Sequence, residues 1–264
     1  MTDATLATDP KQRFSNRVED YVRYRPGYPR AILDLLREHC ALAPESVAAD
    51  IGSGTGLLTQ LFLENGNLVY GVEPNAAMRQ AGEEFLKKYA QFRNVAGSAE
   101  ATTLLDASVD FVLVGQAFHW FDPGPTRAEF ERVLKPQGWV AVIWNERGKD
   151  DTAFLREYEI LLRAFGTDYE KVSAKYPQDG PMKSFVGSGA GGKKSFANEQ
   201  EFDFAGLRGR LLSSSYSPPQ GHPQHEPMLA ALEKLFQTHA QEGRVRFKYL
   251  THLYYGQWET RRAK

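Results

Sequence analysis

The stretch Val47-Ala48-Ala49-Asp50-Ile51-Gly52-Ser53-Gly54-Thr55-Gly56 constrains the fold more than any other part of the chain. An apolar run ends in an aspartate, three alternating glycines follow, and an apolar helical pattern begins at Leu57-Leu58-Thr59-Gln60-Leu61-Phe62. This is strand, glycine turn, helix, the context that gives a glycine motif its meaning. Turn residues without Cβ atoms let backbone N–H groups come close to a ligand. The helix that follows aims the positive end of its dipole at the same place. The spacing is GxGxG rather than the GxGxxG of pyrophosphate-binding dinucleotide folds. Asp50, just before the turn, can accept bonds from turn amides or attract an ammonium group. Taken alone, the glycines also fit an ordinary tight turn.

The segments that follow repeat the theme. Leu68-Val69-Tyr70-Gly71-Val72 reads as a second buried strand ending at Glu73, close to the roughly 20 residues at which such folds place a carboxylate on ribose hydroxyls. Residues 92–96 are the next strand candidate, followed by Gly97-Ser98-Ala99-Glu100. Residues 109–114 lead into Gln116-Ala117-Phe118-His119-Trp120-Phe121, and Leu134-Lys135-Pro136-Gln137-Gly138 ends a helix, turns and opens another strand. Helices are expected near residues 56–64, 75–89 and 125–134, with Asn75 as an N-cap. Such alternation implies a mostly parallel sheet with helices on both faces. Ligands bind at the carboxyl ends of such strands, where Asp50, Glu73, Ser98 and Gln116 all fall.

This series resembles the class I S-adenosylmethionine (SAM)-dependent methyltransferases with a methyltransferase type 11 domain, and among them the small-molecule group that includes trans-aconitate methyltransferase. The residues that carry it are Asp50-Ile51-Gly52-Ser53-Gly54-Thr55-Gly56, Glu73, Ala117-Phe118-His119-Trp120-Phe121 and Leu134-Lys135-Pro136-Gln137-Gly138. Tyr24-Arg25-Pro26-Gly27-Tyr28-Pro29 and Leu211-Leu212-Ser213-Ser214-Ser215-Tyr216-Ser217-Pro218 belong to it as well. The resemblance implies an α/β fold: a doubly wound, mostly parallel seven-stranded sheet, Rossmann-like, with an antiparallel last strand and a lid insert. It implies SAM as cofactor. Asp50, Gly52, Gly54 and Gly56 would hold the methionine part, Glu73 the ribose, and Ser98 and Ala99 would lie near the adenine. Ser53, Pro74 and Gln116 complete the cofactor-binding set, and Tyr24 and Arg25 would close over it. Ser98 is a departure, since many relatives carry an aspartate there.

On this reading the domains are an N-terminal helical cap at 1–40, a SAM-binding core at 41–149, an insert at 150–205 serving as substrate lid, and C-terminal strands and a helix at 206–264 completing the sheet. The cap has a helix over residues 14–24, a proline break, and a helix over 29–40 that buries Ile32, Leu33, Leu35 and Leu36. The insert opens with an amphipathic pattern, Phe154, Leu155, Tyr158, Leu161, Leu162 and Phe165. Residues 166–205 have poor periodicity, with a mobile glycine-rich loop at 187–194. Strands are expected near 207–215, a helix over 227–241, and a last strand over 245–255 whose alternate residues share one face.

A net charge of −1 gives no reason to expect nucleic acid as a partner. No apolar run reaches bilayer length, and residues 1–10 are polar and mixed, unlike a secretory signal. Cys40 is the sole cysteine, which rules out an internal disulfide and suits a reducing cytoplasm. Residues 187–194 nearly spell GxxxxGK[ST], but Lys194 stands where Ser or Thr belongs and no strand precedes it. His222 and His225 flank Pro223-Gln224, which breaks any helix that would align them on a metal, so no metal site is expected. His119 is either a substrate-orienting group or general base, or a ring that packs on Trp120. The expected reaction moves a methyl group to a small organic acceptor, a carboxylate or hydroxyl. The alternatives are a non-catalytic SAM-binding protein and a nicotinamide-dependent oxidoreductase, the latter disfavoured by the glycine spacing.

Overall fold

The central strands are apolar on both faces. In order, the strands of the chain are Val47–Ile51 (β1), Leu68–Val72 (β2), Phe92–Val95 (β3), Val109–Gly115 (β4), Leu134–Arg147 (β5), Gly191–Phe202 (β6) and Val245–Gln257 (β7). The structure, a computed structural model, describes residues 22–174, 179–187 and 189–258. Nearly every side chain of β1, β4 and the second half of β5 is buried, as expected of parallel strands covered from both sides. The sheet has the order β3-β2-β1-β4-β5-β7-β6. β1 to β5 are parallel, and β7 runs antiparallel to β5 and β6, so the expected fold class holds.

The helices are Ala31–Cys40 (α1), Leu57–Glu64 (α2), Ala76–Leu86 (α3), Pro123–Val133 (α4), Ala153–Phe165 (α5), Tyr169–Ala174 (α6), Asp179–Val186 (α7), Phe204–Leu212 (α8) and His225–His239 (α9). Successive strand residues face opposite sides and feed two cores. Ile51, Val112, Val114, Val140 and Val142 pack with Phe130 of α4 and Phe185 of α7. Phe111, Leu113, Ala141 and Ile143 pack with Ile32 and Leu36 of α1 and Phe62 of α2. A third core joins Leu155 and Tyr158 of α5, Leu207 and Leu211 of α8, and Leu232 of α9 to Phe247 of β7. Asn75 caps α3 as expected, its side chain accepting from the Met78 amide. Burial pushes the Cys40 thiol up to about 12, which leaves it core filler rather than a nucleophile.

Two expectations change. Residues 207–215 are not strands: α8 covers most of them. Asp203 caps this helix by accepting from the Gly206 amide at 2.7 Å, and Leu207 and Leu211, four residues apart, share its buried face. Residues 191–194, expected in a mobile loop, instead open β6, which pairs along its length with β7. An edge strand with a solvated face needs no apolar alternation, so periodicity gave no sign of it. A Cβ on Gly191 would lie 2.2 Å from the Tyr255 carbonyl oxygen, so this glycine permits close strand approach. Lys193 pairs with Asp179 at 2.7 Å, not with a phosphate loop. Most of the N-terminal helix expected over 14–24 lies outside the described residues.

The central strand should carry much of the stability. Leu113→Ala, at a fully buried position of β4, should lower unfolding free energy by about 2–5 kcal/mol in urea denaturation. Leu105→Ala, at an 80% exposed position, should change it by less than about 0.5 kcal/mol.

Candidate active site

Strand order reverses between β1 and β4, so their carboxyl ends splay and leave a crevice. The glycine turn fills the β1 side. Gly52, Gly54 and Gly56 all have positive φ, at 71°, 57° and 88°. A Cβ on Gly52 would sit 2.6 Å from the Ala117 Cβ, so only glycine fits both the conformation and the space. The Gly52 amide donates to the Val72 carbonyl at 2.8 Å, continuing the β1–β2 ladder into the turn. Beyond Val72, Glu73 closes the arrangement. Its Oε2 accepts from the Gly54 amide at 3.0 Å and its Oε1 from the Asn75 amide at 2.9 Å. Burial raises the Glu73 pKa, opposed by those two bonds. Each oxygen keeps a second lone pair, and Glu73 lines the cavity.

That cavity measures about 650 Å³ and runs along the strand ends. One end is formed by Gly52, Gly54, Glu73, Pro74, Ser98 and Ala99; Arg25, Gln116 and His119 join the wall further along. Asp50, Ser53, Gly56 and Tyr24, also expected at the site, are not on the wall. Asp50 supports the turn from beneath: its Oδ2 accepts from the Thr59 hydroxyl at 2.6 Å. Its Oδ1 is buried without a hydrogen-bond partner, and burial pushes its pKa up to about 7. Tyr24 packs on Gly209 of α8, where a Cβ would come within 2.0 Å of its ring.

Gln116, at the end of β4, adopts φ 57°, a conformation non-glycine residues hold at some cost. The cost is offset by its side chain. Gln116 Oε1 accepts from the Asn145 amide at 2.6 Å, and its Nε2 donates to the Asn145 carbonyl at 3.3 Å. Its amide group thus locks β4 to β5. His119 lies in a short 3₁₀ turn, Phe118–Trp120, directly after this strand. Its ring sits 4.4 Å from that of Trp120 and edge-on to Trp144 at 5.3 Å.

Several wall residues carried no readable signal. Asn145, His252, Arg147, Tyr249 and Arg210 come from β5, β7 and α8. His252 is held between Ser195 Oγ at 2.7 Å and Glu146 Oε2 at 2.9 Å. Only the pairing of distant strands brings these together. Arg210 lay in a stretch read as strand. Among the described residues no cluster of His, Cys, Asp or Glu could hold a metal ion, and no helix is long and apolar enough to cross a membrane. His225, expected in a loop, opens α9 and binds the Pro218 carbonyl.

Sheet order, glycine turn and strand-end carboxylate together define a Rossmann-like α/β domain with a cavity at its strand ends. Residues 49–142 match the family model described as a methyltransferase domain. The chain is 37% identical over 139 residues to an uncharacterized methyltransferase of Mycobacterium bovis, covering 53% of this chain and 54% of that one. It is 33% identical over 174 residues to an uncharacterized methyltransferase-like protein of Schizosaccharomyces pombe, covering 66% and 61%. It therefore spans little more than half the length of the curated relatives it matches. A solved structure, named as a candidate type II methyltransferase from Anaeromyxobacter dehalogenans, shares the fold with a TM-score of 0.63 at 22% identity, covering 89% of this chain and 98% of that one.

The buried Asp50 sets a pH dependence. Its folded pKa, about 7, lies above the unfolded value of roughly 4. Below pH 4 it is protonated in both states and costs nothing. As pH rises from about 4 to 7 the unfolded chain ionises first and stability falls. Asp50→Asn keeps an acceptor for Thr59 and removes this charge. It should stabilise the ligand-free protein by on the order of a few kcal/mol at pH 8, and the gap should close below about pH 4. Thermal melts of both proteins across that range measure it.

Proposed function

We propose that the protein transfers the methyl group of SAM to a small organic acceptor carrying a carboxylate or hydroxyl. The observation that carries this is the Glu73 clamp beside the glycine turn. Its two oxygens have one backbone bond each and a free lone pair each, on a cavity wall, which suits two neighbouring ribose hydroxyls. The turn presents backbone rather than side chains, which suits the methionine part against Gly52 and Gly54. Ser98 and Ala99 border the same end, where an adenine would fit. Bound SAM would supply an activated methyl group on a sulfonium, already a good leaving group.

The chain's own residues then have modest tasks. They align the acceptor in line with the methyl–sulfur bond and exclude water. Trp120 and Trp144 give the cavity an apolar wall, and the Phe121 ring lies against Gly52. His119 takes the acceptor proton where the acceptor is a hydroxyl; an ionised carboxylate needs no base. The fit with the small-molecule group that includes trans-aconitate methyltransferase rests on this cavity. A nicotinamide cofactor fits less well, because the turn lacks the third-glycine spacing of the dinucleotide folds.

Calorimetry with SAM and with NAD tests the cofactor. SAM should bind and NAD should not. Glu73→Gln keeps the clamp's shape and loses its charge; it should weaken SAM by about tenfold or more, the worth of a charge-assisted bond. Unchanged SAM affinity in that folded variant removes the ribose assignment. For His119→Ala, single-turnover transfer to a hydroxyl acceptor should slow by roughly 10²- to 10⁴-fold, with SAM affinity intact. A near-normal rate there leaves His119 only its packing role.

A further inference from the structure

Arg210 is 5% exposed, and nothing in the cofactor end uses it. It stands in the last turn of α8, between that helix and β7. Its Nε donates to the Tyr249 hydroxyl at 3.3 Å and its Nη1 to Ser214 Oγ at 3.2 Å. Its guanidinium carbon lies 5.9 Å from the centre of the Phe247 ring. All three partners are neutral. The cavity-wall carboxylates Asp179 and Glu146 have partners of their own, Lys193 and His252, and Glu159 holds Arg147. Among the described residues no carboxylate pairs with Arg210, and its Nη2 has no hydrogen-bond acceptor. Arg210 nonetheless forms part of the cavity wall.

A buried guanidinium without a counter-charge is a destabilising choice if stability is its only purpose. Hydrophobic residues of similar volume would fill the space between α8 and β7 better. Its place on the cavity wall supplies the missing reason. Glu73 follows β2, whereas Tyr249, which holds Arg210, is on β7; four strand steps separate them, about 19 Å at the usual spacing. The cation is therefore remote from the ribose clamp, in the part of the cavity left for the second substrate.

Resting on the transferase reading above, we propose that Arg210 is a specificity-determining residue that binds a carboxylate of the methyl acceptor. The planar fork of a guanidinium matches a carboxylate edge. Arg25 donates to the same Ser214 hydroxyl at 3.5 Å, so a second guanidinium lies close by; a phosphate monoester, with nearly two charges, competes with the monoanionic carboxylate. Arg25 donates to the Ser213 carbonyl at 2.8 Å, which ties the N-terminal segment to the end of the same helix.

The test uses the full chain with S-adenosylhomocysteine present and small probes in place of the natural acceptor. Two pairs are compared by calorimetry, benzoate with benzamide and hexanoate with hexanamide, together with phenyl phosphate. In the wild type at least one carboxylate should bind about tenfold more tightly than its amide. Arg210→Met should abolish that preference, Arg210→Lys should restore part of it, and SAM affinity should stay within about twofold throughout. Arg210→Gln provides a second neutral variant if the methionine form does not fold. Equal binding within both pairs overturns the proposal, as does a preference that survives loss of the charge. A parallel fall in SAM affinity overturns it too, because Arg210 would then hold the cofactor's own carboxylate. Tighter binding of phenyl phosphate than of benzoate rejects the monoanion. A carboxylate preference in protein that binds no SAM would keep the anion site and remove the transferase reading instead.

Discussion

Everything at the glycine end of the cavity depends on one carboxylate. Glu73 binds the Gly54 amide with one oxygen and the Asn75 amide with the other. Those amides belong to the turn after β1 and the cap of α3, so a single side chain fixes two strand ends and the start of a helix. Asn75 then caps that helix by accepting from Met78. The turn cannot relax sideways either, because Ala117 fills the space a Gly52 side chain would need. Preorganisation of this kind leaves little to rearrange when a ligand arrives. It is bought with buried charge: burial raises the pKa values of both Glu73 and Asp50, and the charge of Glu73 adds to the difficulty of Asp50.

The sequence showed this end well and the other end poorly, for a physical reason. Around β1 and β2, function rests on local backbone geometry: glycines that must adopt positive φ and acids that terminate strands. Such requirements leave a mark within ten residues. Central strands covered on both faces leave a second mark, continuous apolar runs, which is why a mostly parallel sheet was legible. β6 leaves neither, since it is an edge strand with polar alternate residues and two glycines at its start. Its position is set by pairing with β7, some fifty residues later. α8 was misread as strand because two glycines interrupt its pattern; those glycines let Phe202 and Tyr24 pack against it. The wall residues Asn145, His252 and Arg210 are ordinary in sequence and meaningful only once β5, β7 and α8 are assembled.

The two ends of the cavity are built from different materials. At the glycine end the contacting groups are largely backbone amides and one clamped acid, positions that few substitutions could alter without losing the turn. At the far end they are side chains from α8, β5 and β7: Arg210, Tyr249, Arg147 and His252. The third core supports that end, joining α5, α8 and α9 to the first half of β7. On the proposed transferase reading, a change of acceptor would need only exchanged side chains on a helical layer with its own hydrophobic support. A change of cofactor would require a new backbone path between β1 and β2. This division accounts for a family match confined to residues 49–142, the part that builds the backbone-defined end, while the side-chain-defined end is free to differ among proteins of the same fold.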